Sequence, residues 1–155
     1  MSAFVGRIVS VNGIQNGVVC LFAHHSEGLA ARTQRLPDQV ANIRGVKDSS
    51  GKFENILAYI HGTDPEHFSV LSGNDALILK TLQNGGKGGI TAVANILPEM
   101  MVSIYQNWKK GDMAAAEAAQ QGIQPIRDCF KYGNPNRMGM LYITMGSVTA
   151  AAISA

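Results

Sequence analysis

Reactive chemistry concentrates in one short stretch, Gly45-Val46-Lys47-Asp48-Ser49-Ser50-Gly51. The run Asn42-Ile43-Arg44-Gly45-Val46 reads as a short strand, and Lys47 stands at its C-terminal end in front of a small, polar turn. An apolar, desolvated setting disfavours the ammonium form of a lysine. That frees the amine lone pair at neutral pH and makes a nucleophile. The same residues also read as a solvated lysine in a strand-to-helix loop, and the heptad alone does not separate the two. Asp48 is equally open: it orients a ligand near Lys47, or it caps the helix that follows, a role that Ser49 and Ser50 fit as well.

Other chemical signals are weaker. Gly85-Gly86-Lys87-Gly88-Gly89 has the glycine content of a phosphate-cradling loop, but it lacks the Gly-Lys-Ser/Thr ending and is followed by a strand rather than a helix. His24 and His25 lie near Cys20, yet no second pair follows at zinc-ligand spacing, so exposed or hydrogen-bonded histidines are expected and no metal site is assigned. Met100, Met101, Met113 and Trp108 fall on expected helices and read as packing residues.

The elements that must position Lys47 alternate between strand and helix, the pattern of an α/β protein. Phe53, Ile56, Leu57 and Ile60 recur at helical spacing. Phe68-Ser69-Val70-Leu71 reads as the next strand, and residues 75–82 as a helix with Ser72, Asn74 and Asp75 as possible caps. Residues 88–94 read as a further strand, with two glycines where a ligand or backbone can come close. Pro98 suits the first position of a helix that ends at Gly111. Asp112 then caps an alanine-rich helix running toward Phe130, kinked or broken at Pro125. Near the N-terminus, Phe4 to Val11 and Val18 to Phe22 flank Asn12-Gly13 like two strands around a turn.

In order and spacing, the lysine heptad resembles part of a known family, together with Leu71-Ser72-Gly73-Asn74-Asp75, residues 84–98 and Lys131-Tyr132-Gly133-Asn134-Pro135-Asn136. The family is that of dihydrodipicolinate synthase and N-acetylneuraminate lyase, the class I pyruvate aldolases. The resemblance covers residues 37–136. It implies a (β/α)8 barrel whose strand-six lysine, here Lys47, forms a Schiff base with pyruvate. Gly73, Asn74 and Asp75 then follow strand seven, and Gly89 and Ile90 lie on strand eight, whose backbone lines the pyruvate site. Ser72, Gly73, Asn74, Gly89 and Ile90 are thus the expected substrate-binding residues. The Lys47-Asp48-Ser49-Ser50 version of the motif leans toward 2-keto-3-deoxy sugar-acid aldolases rather than the synthases. In this reading residues 18–22 are a remnant of strand five. The proton-shuttling tyrosine of that strand has no counterpart, since the first tyrosine is Tyr59 and the nearest aromatic is Phe22.

A full barrel takes about 250 residues, and this chain has 155. The expected fold is therefore a partial (β/α)8 TIM barrel, strands six to eight with their helices plus C-terminal helices. An atypical segment precedes it at 1–36, and an atypical apolar tail follows at 137–155. The expected function is Schiff-base-dependent aldol cleavage or condensation of pyruvate or another 2-keto acid. The alternative is a truncated fragment with no activity of its own. No cofactor is required, and the family's frequent tetramers leave room for a homo-oligomer. Composition fits a globular protein, with 46% hydrophobic and 15% charged residues. A net charge of +2 gives no reason to invoke nucleic acid or a membrane surface. Two distant cysteines and no evident signal peptide point to the cytoplasm.

Overall fold

The structure, a computed structural model, describes residues 43–133 and the backbone of one strand nearer the N-terminus, Val19–Ala23. The expected turn at Asn12-Gly13, the histidines His24 and His25 and the apolar tail lie outside the described residues. Contacts divide the chain into two units between Ile90 and Thr91.

The first unit is a parallel sheet with helices. Strand β1 is Val19–Ala23, β2 is Ile43–Asp48, β3 is Ser69–Ser72 and β4 is Gly88–Gly89. They lie side by side in chain order, every pair parallel. Helix α1, Phe53–Gly62, connects β2 to β3. A 3-10 turn at Asp75–Leu77 leads into α2, Ile78–Gln83, between β3 and β4. This strand–helix alternation is the one expected from the sequence.

The register decides what the sheet can present. Lys47 lies opposite Phe22 on one side and Leu71 on the other, and Asp48 lies opposite Ala23 and Ser72. Ser72 in turn lies opposite Gly89. Asp48, Ser72 and Gly89 therefore form one row at the C-terminal ends of parallel strands. Side chains alternate along a strand, so Val46 and Val70 point into a core with Phe53, Ile56, Tyr59 and Phe68. Leu57 and Ile60, expected to share that helix face, are only partly buried, whereas Tyr59 is 1% exposed. The 3.6-residue period carries the buried stripe through Phe53, Ile56 and Tyr59.

The strand expected over residues 88–94 is shorter than its sequence pattern. Only Gly88 and Gly89 pair with β3, and the Ile90 N–H donates to the Ser72 carbonyl at 2.9 Å as the last rung. Beyond Ser72 the neighbouring strand turns away at Gly73, so the ladder has no partner to continue on. The chain instead closes a 3-10 turn at Val93–Asn95 with local bonds from Asn95, Ile96 and Leu97.

The second unit is helical over its described residues. Helix α3 is Pro98–Lys110, α4 is Met113–Gly122 and α5 is Gln124–Cys129. Pro98 opens α3 where its missing N–H is harmless. Gly111 closes it at φ +81°, the left-handed conformation that favours glycine. Asp112 caps α4 by accepting from the Ala115 N–H at 3.0 Å. The helix expected to kink or break at Pro125 is indeed two helices: α4 stops at Gly122, and Pro125 sits in the first turn of α5. Trp108, Met100, Met101 and Met113 are half-buried.

Candidate functional site

Lys47 is the penultimate residue of β2 and is half-buried, whereas Lys52, Lys80, Lys87, Lys109, Lys110 and Lys131 are exposed. Its side chain runs beside Gly73, the first residue after β3. A Cβ built on Gly73 would run into Ser49 Oγ, and would come within 2.8 Å of the Asp48 carbonyl oxygen and 2.9 Å of Lys47 Cε. The absent side chain thus makes room for three neighbours at once. It brings the Lys47 chain and the Ser49 hydroxyl to the same point. From the sequence Ser49 reads only as a possible helix cap, and no local pattern signals its approach to Gly73.

Asp48 does not cap α1. The N-cap position is Lys52, which makes no side-chain capping bond. Asp48 Oδ1 instead accepts from the Ser50 N–H at 2.8 Å and the Ser50 hydroxyl at 2.5 Å. Ser50 Oγ accepts from the Lys52 N–H at 3.2 Å and from Asn55 Nδ2 at 3.1 Å. The turn between β2 and α1 is therefore closed by a relay of side chains, and Ser50 acts inside it rather than as an N-cap.

The remaining expected site residues gather at the same end of the sheet. Ser72 is fully buried; its hydroxyl donates to the Asn74 carbonyl at 2.9 Å and accepts from the Asn74 N–H at 3.1 Å. Its side chain is thereby engaged in the turn. Asn74 Oδ1 accepts from the Ala76 N–H at 3.0 Å, capping the 3-10 turn as expected. Asp75 is buried at the start of that turn. Gly89 and Ile90 are exposed beside Ser72, Ile90 to 46%.

The glycine-rich loop offers little to a phosphate. The amides of Gly85, Gly86 and Lys87 donate to Leu82, Thr81 and Val70 carbonyls. Those N–H groups are already engaged, and the loop delivers β4 to the sheet. His61 is exposed at the end of α1, and exposed His67 pairs with Asp64 at 2.7 Å. The Asp64 carboxyl is held below its ordinary value, first by the Glu66 N–H and then by His67. Among the described residues no three potential metal ligands converge. No helix there is long and apolar enough to cross a membrane.

Known proteins share this arrangement of strands and turns. The model of the dihydrodipicolinate synthetase family matches residues 29–152, a span that includes and exceeds the 37–136 over which the motifs were read. The chain belongs to this family. The 4-hydroxy-tetrahydrodipicolinate synthase of Methanopyrus kandleri is 38% identical over 102 residues, covering 65% of this chain and 34% of that protein. The chain thus spans about a third of the length of such relatives. Among solved structures, YagE from Escherichia coli K12, a prophage protein of the dihydrodipicolinic acid synthase family crystallised in complex with pyruvate, superposes with a TM-score of 0.69 at 29% identity. That match covers 75% of this chain and 41% of YagE. The 2-keto 3-deoxygluconate aldolase of Picrophilus torridus shares the fold at a TM-score of 0.74 and 20% identity, over 85% of this chain and 49% of that enzyme. The parallel sheet is accordingly part of the family's barrel, and the row Asp48–Ser72–Gly89 lies at the C-terminal ends of its strands, where barrel enzymes place their chemistry.

Proposed function

We propose that this chain carries the Schiff-base centre of a class I pyruvate aldolase, with Lys47 as the nucleophile. One observation carries the reading: Lys47 is the single half-buried lysine, at the C-terminal end of a parallel strand, with its side chain led past Gly73. The Lys47 Nζ lone pair adds to the ketone carbon of pyruvate or of a longer 2-keto acid, and loss of water leaves an iminium. In cleavage the iminium is that of the longer 2-keto acid, and it takes up the electron pair of the breaking C3–C4 bond as the C4 hydroxyl gives its proton to water and departs as an aldehyde. In condensation, loss of a proton from the pyruvate methyl gives an enamine that attacks an aldehyde. Ser49 brings a hydroxyl to the same point and can hydrogen-bond the carbinolamine oxygen.

The rim residues divide their roles. The Ile90 N–H is committed to Ser72, so the backbone near Gly89 and Ile90 meets substrate through its carbonyl groups. Ser72 shapes the turn that presents Gly73 and Asn74. The aldol partner is either that of a dihydrodipicolinate synthase or a sugar-acid aldehyde. Lys47-Asp48-Ser49-Ser50 inclines toward the second. We further propose a cytoplasmic homo-oligomer acting on a small 2-keto acid.

Borohydride reduction in the presence of pyruvate tests the assignment. Intact mass and peptide mapping are expected to find one reduced pyruvate adduct, on Lys47, and none in Lys47→Ala. Adducts scattered over the exposed lysines, or no adduct, would leave a non-catalytic chain.

A further inference from the structure

The proposed chemistry leaves the most deeply buried carboxyl among the described residues, that of Asp48, without a use. Asp48 is 1% exposed, and by strand alternation it shares a face with Val46, away from Lys47. Its Oδ2 has no hydrogen-bond partner among the described residues. A half-satisfied buried carboxylate is costly, and an apolar side chain of similar size often serves stability as well or better. Its use is therefore to be sought in what Oδ1 holds.

Oδ1 holds Ser50 by both its N–H and its hydroxyl, and Ser50 Oγ holds the Lys52 N–H and Asn55 on the first turn of α1. The Asp48 carbonyl meanwhile accepts from the Gly73 N–H at 2.6 Å. Ser49 is thus strung between two fixed points, a carbonyl tied to β3 and a residue tied to the Asp48 carboxylate. Its hydroxyl and Lys47 Cε meet where Gly73 has no side chain. We infer that Asp48 is a positioning residue: through Ser50 and Asn55 it fixes the turn that sets Ser49 and the Lys47 amine against an incoming 2-keto acid. This rests on Lys47 being the Schiff-base residue. Misplacing a reacting group by an ångström costs up to about a hundredfold in rate, which gives such a relay a measurable consequence.

The test is the rate of borohydride-trapped adduct at Lys47 in the full chain as pyruvate is raised, compared with urea unfolding of the same variants. Asp48→Ala is expected to lower the limiting trapping rate about thirtyfold with little change in half-saturating pyruvate. Asp48→Asn keeps an oxygen that accepts the same two bonds, so its limiting rate is expected to stay within about threefold of wild type. Its urea midpoint is expected to move nonetheless, because the exchange removes a buried charge and places an NH2 where Oδ2 has no partner. Rate and stability then part company, which a merely structural residue would not produce. Wild-type trapping speed in Asp48→Ala, or equal losses in Asp48→Ala and Asp48→Asn, would overturn the inference while leaving the Lys47 assignment intact. Absence of an adduct in the wild type would remove both. Should Asp48→Ala fail to fold, Ser50→Ala decides: loss of the Oγ relay is expected to slow trapping at least about threefold, and an unchanged rate overturns the proposal.

Discussion

Replacing Gly73 by alanine is expected to slow imine formation at Lys47 by about a hundredfold without moving the adduct to another lysine. The added Cβ would meet Ser49 Oγ and would stand 2.9 Å from Lys47 Cε and 2.8 Å from the Asp48 carbonyl oxygen. The first two atoms end or belong to side chains that can rotate away, but only by leaving the positions from which they would act. The third is backbone, and it also accepts the Gly73 N–H at 2.6 Å. It cannot withdraw without loosening β2 from the turn after β3. Overpacking of this kind costs about 1–3 kcal/mol, so a lowered unfolding midpoint should accompany the kinetic loss. Borohydride trapping and urea titration of the same preparation measure both. An alanine variant that trapped pyruvate at the wild-type rate would show that the Lys47 chain does not depend on this gap.

Gly45→Ala should act on stability more than on chemistry. Gly45 lies in the interior of β2 opposite Ser69, and a Cβ there would stand 2.6 Å from the Ser69 carbonyl oxygen and 3.3 Å from Ser69 Cβ. Neighbouring strands cannot give way like a side chain, since relief means parting the ladder between β2 and β3. We expect a loss of about 2–3 kcal/mol, at the upper end for a single added methyl. Chemical denaturation followed by far-UV circular dichroism reads it directly. A midpoint within error of wild type would mean that the two strands are less closely paired than described.

The features legible in the sequence are those fixed by local chemistry. Pro98, Gly111 and Asp112 delimit their helices because a missing N–H, a left-handed φ and a capping carboxylate act within one turn. The end of β2, one residue beyond Lys47, and the turn after β3 could be read in the same way. What could not be read depends on neighbours distant in the chain. Residues 90–94 carry an apolar pattern suited to a strand, but strand length is set by the partner, and β3 ends at Ser72. Asp48 reads equally as a ligand group or a helix cap because its actual partner, Ser50, has the sequence position of a rival cap. Ser49 approaches Gly73 only after two strands have paired in register. Family resemblance points to Lys47 and the rim, and the packing shows what stands beside them.

The glycine-rich loop has a consequence for dynamics. Residues 85–89 would be picked from composition as the most rapidly exchanging part of the first unit. Yet the Gly86 N–H is held by the Thr81 carbonyl at 2.9 Å, and the Lys87 N–H by the Val70 carbonyl at 2.9 Å, in a buried strand. Deuterium uptake at Lys87 should therefore follow the opening of the sheet, and uptake at Gly86 the opening of the last turn of α2, rather than the motion of a surface loop. The loop then behaves as a latch on β4: it releases only when β3 does, and the rim that presents Gly89 and Ile90 shares the lifetime of the core.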